Sequence, residues 1–167
     1  MAKLDKQTLI SYLQEAFGSD ISGVEEPFGL LSMQVSKAKI LEILAFLKDH
    51  KELQFIYLTD ITAVHYPAQA LSIAVVYHLH SLVNNIRIRI KVFLDGAKPE
   101  IPSATSLWNG ANWMERETYD FFGVIFQGHP DLRRILNVDE MEVFPMRKEY
   151  PLEDPNRVDK KDFFFGR

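Results

Sequence analysis

The stretch Leu71-Ser72-Ile73-Ala74-Val75-Val76-Tyr77-His78-Leu79-His80-Ser81-Leu82-Val83-Asn84-Asn85-Ile86-Arg87-Ile88-Arg89-Ile90-Lys91-Val92-Phe93-Leu94 decides the fold. In its first half Leu71, Ile73, Val75, Tyr77 and Leu79 alternate with smaller or polar residues. In its second half Ile86, Ile88, Ile90, Val92 and Leu94 alternate with Asn85, Arg87, Arg89, Lys91 and Phe93. Side chains on a strand point to opposite faces in turn, so period two over both halves predicts a pair of strands bent at Asn84-Asn85. One face of the pair packs on helices; the other meets water or a partner.

Working outward, residues 5–17 place Leu9, Leu13 and Phe17 four apart, the spacing of an amphipathic helix that Gly18 ends. Phe28 to Val35 reads as a short strand. Ser36 is placed to cap a second helix with Ile40, Ile43, Leu44 and Leu47 on one stripe. Residues 53–66 are rich in β-branched and aromatic types and read as a strand stopped by Pro67. The expected fold is α+β: a small mixed or antiparallel sheet with helices on one face, followed by a helix and an extended, irregular C-terminal tail. Gly96, Pro99 and Pro102 punctuate the exit from the sheet. The expected divisions are therefore an α+β domain over 1–102, a helix plus motif segment over 103–137, and an interaction tail over 138–167. Within the second, 103–122 reads as helical with a break at Asn109-Gly110, and Gly123 stands as the C-terminal cap.

Composition excludes several function classes. A chain of 167 residues with 47% hydrophobic residues can bury a core of its own. A net charge of −4 gives no electrostatic reason to expect nucleic acid. With no cysteine, disulfides, thiolate nucleophiles and Cys-ligated iron–sulfur clusters are all ruled out in this chain. No run approaches the ~18 apolar residues of a membrane span, and Met1 to Lys6 does not open a signal peptide, so a cytoplasmic chain is expected, reaching a membrane only through partners.

The short motifs are weak on their own. Gly123 and Gly128 have phosphate-loop spacing, but His129-Pro130 stands where that loop needs Lys and Ser or Thr. His78 and His80 share a strand face without a third metal ligand in view, so a solvated face is preferred. Arg87, Arg89 and Lys91 could grip an anionic partner, although a charged solvent face is the plainer reading. Glu115, Glu117 and Asp120 resemble a carboxylate cluster without a nucleophile; pairing with Arg133, Arg134 or another subunit is favoured. His129 is either a proton carrier or a ring held in place beside Pro130, and the structural role ranks higher.

Two longer segments say more. Glu115-Arg116-Glu117-Thr118-Tyr119-Asp120-Phe121-Phe122-Gly123-Val124, followed by Gly128-His129-Pro130-Asp131-Leu132-Arg133-Arg134-Ile135-Leu136, resembles the signature of the C subunit family of complex-I-type NADH–quinone oxidoreductases. Pro145-Met146-Arg147-Lys148-Glu149-Tyr150-Pro151-Leu152 resembles a second family stretch. Many members carry Gly-His where this chain has Val143-Phe144, and many have an acid near the position of His65.

The resemblance implies a cofactor-free subunit of the peripheral arm, on the cytoplasmic side of the inner membrane. FMN and iron–sulfur clusters would lie in partner subunits. It further implies docking to the quinone-site (D-type) and cluster-bearing (B- and I-type) subunits. Glu115, Arg116, Glu117, Asp120, Gly123, His129, Pro130, Asp131, Arg133, Arg134, Arg147 and Lys148 would form the signature and interface, with no catalytic residue in the chain. A scaffold subunit of a membrane-bound hydrogenase-type complex, and a stand-alone hydrolase using Glu115, Glu117 or His129, are the rival readings.

Overall fold

The computed structural model describes residues 4–150. Asp5 caps the first helix by accepting the Thr8 N–H at 2.7 Å, and α1 (Lys6–Phe17) buries Leu9 and Leu13 before Gly18 ends it. β1 (Ile21–Glu25) and β2 (Leu31–Val35) pair antiparallel, joined by the turn Pro27–Gly29. Ser36 does not cap α2 with its side chain. It precedes a single 3₁₀ turn, Lys37–Lys39, and α2 (Ile40–Asp49) starts only after it. The apolar stripe is as expected, with Ile40, Ile43, Leu44 and Leu47 all buried.

β3 (Tyr57–His65) begins later than the 53–66 composition suggests. Leu53 and Phe55 are core residues, but Gln54 between them has φ of 47°, which breaks the strand. β4 (Ile73–Ser81) and β5 (Ile86–Leu94) form the long hairpin, with Asn85 in the left-handed region at φ 53° and the Asn84 side chain donating to the Glu52 and Leu53 carbonyls. The sheet order is β1-β2-β5-β4-β3, mixed because β2 and β5 run parallel. α2 thus carries the chain from one side of the hairpin to the other.

The hairpin's faces differ. Ile86, Ile88, Ile90, Val92 and Leu94 are buried in one core with Leu9, Leu13 and the α2 stripe. On the opposite face Arg87 is exposed, and Arg89 and Lys91 are half-buried. Central β4 is more enclosed than the alternation alone implies: Ala74 and Val76 on the second face are also buried. Their cross-strand neighbours Phe93, Lys91 and Thr62 flank them, and long side chains cover apolar surface with their stems.

After β5, residues 103–110 form turns rather than helix, and α3 spans Ala111–Phe122. Two three-residue strands, β6 (Glu100–Pro102) and β7 (Ile125–Gln127), pair parallel and bracket α3. α3 packs on β3, with Thr118 Oγ donating to the Ile61 carbonyl at 3.1 Å. Trp108 Nε1 donates to the Ile56 carbonyl at 2.9 Å. Leu44, fully enclosed on α2, tests this core: Leu44→Ala should cost about 2–5 kcal/mol, read as a lowered urea midpoint at unchanged slope.

Candidate functional site

The residues singled out in the signature converge on α3, and they divide into those turned inward and those turned outward. Asp120, fully buried, is the centre of the inward group. Its Oδ2 accepts three successive backbone N–H groups, from Ile135 at 3.2 Å, Leu136 at 2.8 Å and Asn137 at 2.9 Å. Its Oδ1 accepts from Arg134 Nη1 at 2.8 Å and Asn137 Nδ2 at 3.0 Å. Consecutive N–H groups curled this way make an anion nest, and here the anion is a side chain of the same protein. Burial opposes the charge. The Asn137 N–H, the Arg134 guanidinium, the Asn137 amide and the Leu136 N–H outweigh that cost and hold the carboxyl well below the usual range.

One helical turn earlier, Arg116 takes the other half of the same loop. Its Nε donates to the Arg133 carbonyl at 3.1 Å and its Nη2 to the Arg134 carbonyl at 3.2 Å, and the guanidinium lies 5.0 Å from the Trp113 ring centre. Residues i and i+4 share a helix face. Arg116 and Asp120 therefore bind the carbonyls of 133–134 and then the N–H groups of 135–137 from one surface. Arg134 closes the arrangement by donating to the Asp120, Met141 and Val143 carbonyls at 3.0, 2.5 and 3.1 Å.

Glu115, also fully enclosed, faces a different loop: it accepts from Ser103 Oγ and from the Ala104 N–H, both at 2.6 Å. Burial pushes its carboxyl up from 4.5 to about 7, and the Ser103 and Ala104 hydrogen bonds moderate the rise. The buried Tyr77 phenol is raised as well, by burial first and then by the Glu115 charge. His129 Nδ1 accepts the Asp131 N–H at 3.0 Å, which assigns the proton to Nε2, donated to the Asn112 carbonyl at 3.1 Å. Both ring nitrogens are thus engaged in shaping the turn. Gly123, with φ 76°, ends α3, and a Cβ there would meet the Phe144 ring at 2.5 Å.

Residues 138–150, the first part of the expected interaction tail, are irregular and lie back over α3. The Met146 N–H donates to the Phe121 carbonyl at 3.1 Å, and Arg147 Nε to the Phe122 carbonyl at 2.7 Å. Phe144 lies between the guanidinium groups of Arg134 and Arg147, 5.1 and 5.2 Å from its ring centre. The Lys148 N–H reaches His65 Nδ1 at 2.9 Å. The Phe144 ring fills the space that Gly123 leaves. The remainder of the expected tail, with Lys160, Lys161, Phe163, Phe164 and Phe165, lies outside the described residues.

The structure divides these signature residues by exposure. Glu115, Arg116, Asp120 and Gly123 are buried, Arg134 and Arg147 are half-buried, and all are bonded within the chain. Glu117, Pro130, Asp131, Arg133 and Lys148 are exposed, together with Trp113, Leu136 and Val138. Sequence reasoning missed Asn137, Ser103 and Phe144 as participants. Only the short polar types near turns could have signalled the first two. Among the described residues no group of three His, Asp or Glu is placed to hold a metal ion.

The profile of a family described as the respiratory-chain NADH dehydrogenase, 30 Kd subunit, matches residues 33–156. The chain belongs to that family. Among the chain's curated relatives, the C subunit of the NADH-quinone oxidoreductase of Citrifermentans bemidjiense is 46% identical over 87% of this chain and 89% of its own length. A C subunit of the same enzyme from Rhizobium meliloti is 43% identical over 86% of this chain and 71% of its own. A solved trypsin-resistant fragment of Nqo5 superposes with a TM-score of 0.64 at 33% identity, covering 74% of this chain and 98% of the fragment. A chain from an archaeal membrane-bound sulfane sulfur reductase shares the fold at a TM-score of 0.74 and 24% identity, over 93% of this chain and 96% of that one.

Two buried acids of this chain should respond to pH with opposite sign. Asp120 has a depressed pKa, so its stabilisation is complete above the ordinary carboxylate range and is lost as the pH falls toward its native value. Asp120→Ala leaves Arg134 and the nest unpaired and should cost about 3–5 kcal/mol at neutral pH, with a flattened acid limb in thermal melts. Glu115 has a raised pKa, so its contribution is complete below about pH 4.5 and is lost as the pH rises to about 7. Glu115→Gln should remove a decline of about 3 kcal/mol across that window. A wild-type stability that does not fall between those pH values would contradict the assignment.

Proposed function

We propose that this chain is a cofactor-free scaffold of the peripheral arm of a complex-I-type NADH–quinone oxidoreductase. It docks the quinone-site (D-type) and cluster-bearing (B- and I-type) subunits. Electrons pass in those partners from NADH through FMN and iron–sulfur clusters to a quinone, coupled to ion translocation, and the chain sits on the cytoplasmic side, held to the membrane through them. The observation that carries this reading is the clamped signature loop: Arg116, Asp120 and Arg134 fix residues 133–137 from within. Pro130, Asp131, Arg133, Trp113, Leu136 and Val138 are left outward on a rigid support. A surface whose shape is set before contact loses less conformational entropy on binding.

The absence of cysteine supports placing the redox centres elsewhere. A hydrolase built on Glu115 or His129 is disfavoured, because the first has no surface exposed to a substrate and the second has both nitrogens committed.

Affinity purification of the tagged chain from its own cells tests the proposal. Flavin-bearing, NADH-binding subunits should copurify; a nickel–iron subunit in their place would identify the hydrogenase-type complex instead. Arg133, with its side chain 70% exposed and paired, among the described residues, only with surface Asp131 at 2.9 Å, supplies the local test. Arg133→Glu should reduce incorporation into the complex on native gels while leaving the melting temperature of the isolated chain unchanged.

A further inference from the structure

The side of the sheet turned away from the helices carries its own pattern. The strand register lays three rows across it: Ser32–Arg89–His78–Asp60, then Arg87–His80–Tyr57, then Gln34–Lys91–Val76–Thr62. Arg89 Nε donates to His78 Nε2 at 3.1 Å, which makes that imidazole a neutral acceptor and leaves the guanidinium with no carboxylate partner among the described residues. Arg87 is exposed and likewise has no carboxylate partner there. Lys91 is shared with Glu25 at 2.9 Å. Beneath them Ser32 Oγ and His80 Nε2 are buried and have no hydrogen-bond partner among the described residues. Polar atoms enclosed in this way usually find a partner, so two of them under unpaired arginines mark an unfilled polar site.

At the end of the same face stands the turn Pro27–Gly29. Phe28 there is fully exposed at 108% and has left-handed backbone angles, φ 54° and ψ 32°, that a large side chain adopts only at a cost. Lys6 secures the turn through the Gly29 carbonyl at 2.9 Å and an ion pair with Glu26. Phe28, Lys6, Asn85 and Arg87 line one open depression, so the aromatic ring adjoins the Arg87 end of the cationic rows.

We propose that this sheet face, with Phe28 at its rim, is a second docking surface that receives an acidic polypeptide segment of a neighbouring subunit. The proposal rests on the scaffold reading and gives it a second contact, on the side of the sheet opposite the core shared by α1, α2 and α3. Charge decides the partner. The chain as a whole carries −4, yet two arginines here lack carboxylates, and a segment rich in Asp or Glu supplies them. The strained, exposed aromatic adds an apolar contact at the edge of the charged rows, aromatic residues being enriched at interfaces. An anionic membrane is a poorer match, because lipid recognition uses clusters of about 4–8 basic residues, whereas Asp60 and Glu25 interrupt these rows.

The test uses the full complex carrying Phe28→Gly, Arg87→Glu or Arg89→Glu, with the isolated variants melted in parallel. Phe28→Gly separates docking from folding: it should raise the isolated chain's melting temperature by roughly 2–4 °C, by relieving the left-handed strain, while lowering incorporation. Arg87→Glu should lower incorporation roughly tenfold without moving the melt. Zero-length carbodiimide coupling of an Arg87→Lys variant should join position 87 to an Asp or Glu of another subunit.

Failure of the wild-type chain to copurify with any complex would overturn the scaffold reading and this proposal with it. Normal incorporation of all three variants in a complex that does assemble would overturn this proposal alone. Binding of the wild-type chain to phosphatidylserine vesicles, lost in Arg87→Glu, would overturn it in favour of lipid.

Discussion

The buried carboxylate of Asp120 holds α3 and residues 133–143 together. An irregular loop has no ladder of its own, so its backbone N–H groups need partners from elsewhere or they resist burial. Asp120 satisfies three of them in succession and neutralises Arg134, which in turn gathers the carbonyls of Met141 and Val143. Arg116 meets the two carbonyls that precede the nest. Charge-assisted hydrogen bonds are the stronger kind, and here they replace secondary structure as the organising force. α3 is thus less a core helix than a handle: its buried side fastens it to β3, and two of its charged residues grip the loop.

The rest of the architecture supplies the support. β4 runs through the middle of the five-stranded sheet, α1 and α2 cover one face, and α3 seals the β3 edge. Covering an edge in this way satisfies it and denies it to stray pairing. The sheet consequently separates two surfaces of unlike chemistry, an apolar-and-charged loop patch on one side and cationic rows on the other.

How legible this was depended on the range of the interactions. The β4–β5 hairpin and both amphipathic helices announce themselves, because their burial repeats with the local period and Asn84-Asn85 marks the bend. β1 has only Ile21 and Val24 around Gly23, too brief a pattern to read, and β6 and β7 are three residues each. The strand start at Leu53 was misplaced because Leu53 and Phe55 are buried for other reasons, with Gln54 twisting the chain between them. In the site, the aggregation of charges on α3 was visible and its direction was not. Asp120 is answered largely by main-chain N–H groups, and main-chain groups leave no mark in residue identity. The stretch 138–150 lacked periodicity for a similar reason. It is held by a ring over a glycine and by single side-chain-to-backbone bonds, none of which recurs along the chain.

One of those bonds has a bearing on how the protein is made. The Lys148 N–H meets His65 across 83 positions of sequence, and Arg147 reaches back 51 positions to the Gly96 carbonyl. A chain growing from the ribosome can complete the sheet and dock α1 and α2 long before these residues emerge from the exit tunnel. The nest around Asp120 closes last, once Arg134, Met141 and Val143 have been synthesised. A chain cut before Arg134 therefore lacks the side chain that ties Asp120 to the carbonyls of Met141 and Val143, and with it the means of holding residues 138–150 against α3.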